Sequence, residues 1–190
     1  MGNGGGSGWI AQGGRIAPKF PGRRRHGYLV EWRMKSVLSF SVQPLAGTFV
    51  GRIRASRIDD FGRQVRPVPA KGGEPLRDQL RRATPGEPII LCSFQAVPLP
   101  SAYAEVGPIF ISAAGTSPPP TVPNTLPHGY LTRTFALRGY NVRNEIVDSA
   151  LADVAEAFGT IRRLLAIPEV DILHARFAGH GCFAARITRE

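Results

Sequence analysis

The sequence predicts an α+β fold, with a mainly antiparallel sheet packed by one long late helix in a single domain. Three observations predict it. Short apolar runs bounded by Gly and Pro recur along the chain, and no strand–helix–strand rhythm links them. One sustained helical stripe lies late in the sequence. The chain has 190 residues, 43% of them apolar and 20% charged, which excludes a wholly disordered protein. No apolar run approaches the roughly 20 residues of a membrane-spanning helix.

Residues 1–33 are rich in Gly and Arg without any period, and read as a disordered tail ahead of a domain over 34–190. Met34 stands just before the strand-like run Val37–Val42, so it is the expected biological start, with the tail an upstream extension. Residues 44–57 read as a short helix with Leu45, Phe49 and Ile53 on one face. Residues 58–75, charged and rich in Gly and Pro, read as irregular. Pro88–Phe94 and Val106–Ser112 read as strands, the first of them buried. Five prolines between residues 115 and 130 make a long loop, either a lid or a stiff connector.

Leu131–Val142 reads as a long strand, and Asn141–Asn144 as the turn that follows it. The helix is expected over Asp148–Ala166. Val147, Leu151, Val154, Phe158, Ile161 and Leu165 recur at steps of three and four, and Pro168 prevents continuation. Val170–Ala175 and Gly181–Ile187 read as two closing strands.

The positive charge is concentrated in the first 82 residues, and the remainder is slightly acidic. A basic front on a neutral body argues against a nucleic-acid surface as the leading function. No secretory signal is readable, so a cytoplasmic location with reduced Cys92 and Cys182 is expected. No membrane association is expected, and the oligomeric state is left open.

The densest chemical constellation runs from Asp171 to Phe183. There His174, Arg176, His180 and Cys182 come close together where two strands meet. A nucleophilic thiolate needs a nearby cation and a base, so Cys182 and His174 are the candidate catalytic pair. The alternative is Cys182 as a small apolar core residue. Strand alternation puts Cys182, Ala184 and Arg186 on one face, and Phe183, Ala185 and Ile187 on the core face. The spacing matches no established zinc pattern, and no metal or cofactor is expected. Arg133 and Arg138 fall on opposite faces of their strand. Arg138 shares its face with Tyr140, a pair able to hold a carboxylate or phosphate, or else a solvated arginine.

Residues from about Pro75 to Arg189 resemble the bacterial domain-of-unknown-function family numbered 1203. The resemblance rests on Leu76-Arg77-Asp78, Ala83-Thr84-Pro85-Gly86-Glu87, the run Ser101–Phe110, Leu137-Arg138-Gly139-Tyr140 and Gly181-Cys182-Phe183 with Arg186. It implies a small single-domain protein without an assigned reaction. Leu76 stands where members often carry a cysteine. Asn141 and Asn144 replace an aspartate and a glycine, and Phe177 an asparagine. The family pattern and the local chemistry together add Tyr103 and Glu105 to the candidates.

Three function classes follow, and whether the protein is an enzyme is left open. The first is a domain that binds a small molecule or anion, with or without catalysis. Its pocket lies between the Pro-rich loop and the closing strands, and Tyr103, Glu105, Arg138, Tyr140 and Arg176 serve the ligand. The second is a non-catalytic protein-interaction module using the Pro-rich loop. The third, binding of nucleic acid through the basic front, is the least favoured.

Overall fold

A computed structural model describes residues 38–115 and 117–190. The expected tail over 1–33 and the expected start at Met34 lie outside the described residues. Among the described residues, ten strands form two five-stranded sheets, and there are two helices. The protein is therefore mostly β, not the helix-packed α+β arrangement expected.

The first sheet is fully antiparallel. Its strands are β1 (Phe40–Gln43), β7 (Phe135–Tyr140), β8 (Ile146–Ala152), β9 (Ile172–Phe177) and β10 (Phe183–Arg189), in spatial order β1-β10-β9-β7-β8. The second comprises β2 (Pro67–Pro69), β3 (Pro75–Leu76), β4 (Arg81–Arg82), β5 (Pro88–Gln95) and β6 (Val106–Ser112), ordered β2-β5-β6-β3-β4. Here β3 runs parallel to β6. Helix α1 spans Gly47–Ser56 and helix α2 Ala157–Leu165. Strands β2 and β3 overlap the stretch expected to be irregular. They are too short, and too rich in proline, to show a period.

The expected long helix is corrected by the hairpin that precedes it. Asn144 takes a positive φ of 61° and Asn141 closes the turn through its side chain, so β8 folds back along β7. Phe135 then pairs with Ala152, and Gly139 with Asp148. Residues 146–152 are spent in this ladder before a turn at Asp153–Glu156 starts α2. The apolar spacing of residues 147–151 fitted a helix, but non-local strand pairing overrides it. A Cβ on Gly139 would sit 3.0 Å from Val170 Cγ2, so a side chain here would need Val170 to give way by a few tenths of an ångström.

Two main cores result. In one, Phe135, Leu137, Leu173, Ala175 and Ile187 of the first sheet pack on Ile161, Leu164 and Leu165 of α2. In the other, Ile90, Cys92, Ile109 and Ile111 of the second sheet pack on Val50 and Ile53 of α1. Phe183 of β10 belongs to this second core, because the β9–β10 register shifts between Phe183 and Ala185. The bulge corrects the expected alternation: Phe183 parts from Ala185 and Ile187, which stay in the α2 core. β10 thereby serves both cores.

The sheet edges differ. β2 carries Pro67 and Pro69, and β4 is two residues long. β1 exchanges hydrogen bonds with Asn124 of the Pro-rich loop. β8 is the remaining edge, with Leu151 70% exposed. Among the described residues no helix is long and apolar enough to cross a membrane.

Candidate functional site

The face of the first sheet turned away from α2 gathers one polar cluster. Arg138 lies directly opposite His174, and His174 directly opposite Arg186, so one row crosses β7, β9 and β10. Arg176 sits two positions along from His174 on the same face. Tyr140 packs at a tilt against His174 with ring centroids 4.7 Å apart, and Phe183 meets the imidazole edge-on at 5.2 Å. Glu105, immediately before β6, reaches across from the second sheet. Its carboxylate lies 3.6 Å from Arg138 and also ion-pairs with Arg176. Arg176 further donates from Nε to the Gly181 carbonyl at 2.7 Å, fixing the β9–β10 turn.

The predicted residues thus divide. Glu105, Arg138, Tyr140, His174 and Arg176 come together. Tyr103 does not join them: it is exposed and lines a separate hollow with Arg143 and Glu145. Arg133 falls outside β7, which begins at Phe135. Cys182 lines a cavity that His174 does not border. β9 ends at Phe177, and Cys182 follows the turn through Gly181, ahead of β10.

His174 is 1% exposed, and burial pulls its pKa down to about 3, with the positive charges of Arg186, Arg176 and Arg138 acting in the same direction. The imidazole is neutral in the folded protein at neutral pH. Its depressed pKa means that the unfolded chain binds the proton first. The associated stability is complete above pH 6.5 and is lost as pH falls towards about 3. The stability of the native protein should therefore decline below pH 6.5, by up to about 1.4 kcal/mol per unit. Between pH 6.5 and 4.5 the carboxylates contribute little, and His174→Phe should flatten the decline. Urea midpoints measured across this range check it; an unchanged slope in the variant counts against the assignment.

Cys182 lines a cavity of about 920 Å³. One wall is the outer face of the second sheet, with Leu91, Pro108 and Phe110. The opposite wall is the β9–β10 turn with Phe177, His180 and Cys182, flanked by Arg77 and Arg82. The two guanidinium carbons lie 5.1 and 4.9 Å from the Phe177 ring centre. Arg77 is 3% exposed and donates to the Phe183 and Pro75 carbonyls at 2.9 and 2.6 Å. Arg82 donates to the carbonyls of Tyr130 and Gly73. Among the described residues neither arginine has a carboxylate partner. Burial lowers the Arg77 pKa, and Tyr130 and Cys182 act in the opposite direction. The Pro-rich loop borders none of this cavity; it lines a smaller hollow with Val42 and Leu80 instead.

The two cysteines are chemically distinct. Cys92 is fully buried in the second core, and burial pushes its thiol up to about 12, so it is inert. Cys182 is half-buried at the cavity, 3.7 Å from the His180 carbonyl. Among the described residues no group of three or more His, Cys, Asp or Glu side chains is placed to hold a metal.

Sequence reasoning missed Arg77 and Arg82 because each lies in or beside a two-residue strand. The one signal was the Leu76-Arg77-Asp78 segment, which places a cation and an acid between apolar neighbours.

No curated protein and no solved structure matches this chain. A family model described as "Protein of unknown function (DUF1203)" matches residues 73–189. The match spans more than half of the chain, close to the limits of the resemblance read from its motifs. It covers the whole polar cluster and most of the cavity wall, and on this ground the chain belongs to the DUF1203 family.

Proposed function

We propose that this domain binds a small organic molecule with an apolar body and an anionic group, in the cavity between the second sheet and the β9–β10 turn. The observation that carries this reading is the pair Arg77 and Arg82. Two guanidinium groups border a large, mostly apolar hollow and neither is ion-paired among the described residues, because Glu74, which also lines it, is engaged by the backbone N–H groups of Lys71 and Gly72. Unpaired positive charge in a partly desolvated setting favours an anion there. Phe110, Phe177 and Leu91 supply apolar wall, and the Cys182 thiol reaches the same space. Few convergent polar groups in an apolar hollow are what small-molecule sites require.

The test is a thermal-shift titration with benzoate and phenyl phosphate. Ligand at a hundredfold excess over Kd stabilises the native state by about 2.7 kcal/mol. For a chain of this size that is a rise of roughly 5–10 °C. Arg82→Gln and the cavity-filling Leu91→Trp should each abolish the rise. A rise of the same size in both variants would place binding elsewhere and end the proposal.

A protein-interaction module is the second reading. The open edge of β8, which presents unpaired backbone groups to a docking strand, favours it.

A further inference from the structure

The polar cluster on the first sheet is separate from the cavity, and its internal hydrogen bonding is incomplete. His174 and Tyr140 are each 1% exposed and Arg176 is 6% exposed. Both ring nitrogens of His174, the Tyr140 hydroxyl and Nη1 of Arg176 find no hydrogen-bond partner among the described residues. Buried polar groups are ordinarily hydrogen-bonded, so four such atoms in one place favour a polar ligand there.

The arginine pair is already in contact with a carboxylate. Glu105 joins Arg138 to Arg176, although the two arginines belong to different strands and Glu105 to the other sheet. The Arg138 and Glu105 side chains are 36% and 37% exposed, whereas that of Arg176 is 7% exposed. The cluster therefore opens to solvent on the Glu105 side and closes at His174. Glu105 precedes β6 and lies outside the strand ladder, so its side chain can swing clear without breaking sheet hydrogen bonds.

We propose that Glu105 is a resident stand-in. A small carboxylic acid with an adjacent oxygen, of the 2-oxo, 2-hydroxy or oxalate class, displaces it from Arg138 and Arg176 and takes up the unpartnered atoms of His174 and Tyr140. A planar carboxylate suits the guanidinium pair, as Glu105 itself shows. A neutral imidazole offers one donor and one acceptor, and a phenol offers both, which matches the second oxygen. A full phosphate dianion would use the cations but leave the imidazole donor–acceptor pair poorly matched.

The internal carboxylate competes with the ligand, so the apparent affinity is the intrinsic one reduced by the fraction of molecules with Glu105 displaced. If Glu105 occupies the arginines nine-tenths of the time, its removal tightens binding about tenfold. Isothermal titration of the full chain with oxalate tests this. Glu105→Gln should bind oxalate about tenfold more tightly than the native protein. Arg138→Gln, a change at a half-exposed position that leaves the fold intact, should weaken binding by about tenfold or more. Acetate, which lacks the second oxygen, should bind at least about tenfold more weakly than oxalate. Oxalate affinity unchanged in Glu105→Gln, or retained in Arg138→Gln, overturns the proposal, as does equal affinity for acetate. Arg82→Gln should leave oxalate binding intact, so failure at this cluster is distinguishable from failure at the cavity.

Discussion

Asp78→Ala is expected to lower the unfolding free energy by about 3–5 kcal/mol. Asp78 is 3% exposed, and its two oxygens serve different elements. Oδ2 accepts from Arg54 Nη2 of α1 at 2.7 Å, and Oδ1 accepts from the Ser112 backbone N–H at the end of β6 at 3.0 Å. Arg54 completes the link by donating from Nε to the Ser112 carbonyl at 2.9 Å. Removing the carboxylate leaves a largely buried guanidinium without its counter-charge and a buried N–H without an acceptor. Asp60→Ala is the control. Asp60 pairs with Arg52 where both side chains are well exposed, and such pairs contribute under about 1 kcal/mol. Urea unfolding reads both: the midpoint should fall far for Asp78→Ala and barely for Asp60→Ala, with the slope unchanged. Similar losses in the two variants would refute the account of Asp78 as a three-element junction.

The second large effect separates two residues that the sequence places on one stripe. Ile161→Ala should cost about 2–5 kcal/mol, because Ile161 is fully buried between α2 and the first sheet. Leu151→Ala should change stability by less than about 0.5 kcal/mol, because Leu151 is 70% exposed on edge strand β8. A continuous helix over residues 148–166 would make both residues core and both substitutions costly. Thermal or urea unfolding of the two variants therefore discriminates between the architectures. Comparable destabilisation would mean that β8 is not a strand.

That contrast shows where the sequence is legible. β5 and β6 were readable because each holds a short apolar run, Ile89–Cys92 and Ile109–Ile111, and β6 spans Val106–Ser112 as expected. α1 was readable from Phe49 and Ile53, with Ile53 fully buried, but it starts at Gly47 and leaves Leu45 ahead of it. The Asn141–Asn144 turn was readable because asparagine tolerates the positive φ that Asn144 adopts. The β8 ladder was not readable, since strand pairing is decided by residues distant in sequence. Within the site, Arg138 and Tyr140 follow from period-two alternation alone. Their meeting with Glu105 needs the second sheet, and no local pattern announces it. Cys182 and His174 are eight residues apart and looked like partners. Cys182 borders the large cavity and His174 does not, and no spacing rule across the turn at Gly181 and the bulge after Phe183 could have told which.

The unequal sheet edges set the direction in which this fold could propagate. Proline cannot donate the hydrogen bond that a docking strand requires, and a two-residue ribbon offers almost no template. Asn124 already occupies part of the flank of β1. Among the described residues, templated addition of a further strand, from a second copy or from an extended peptide, has one open address: the seven-residue margin that carries Leu151. A charge placed there would guard the protein against fibrous assembly without touching either core.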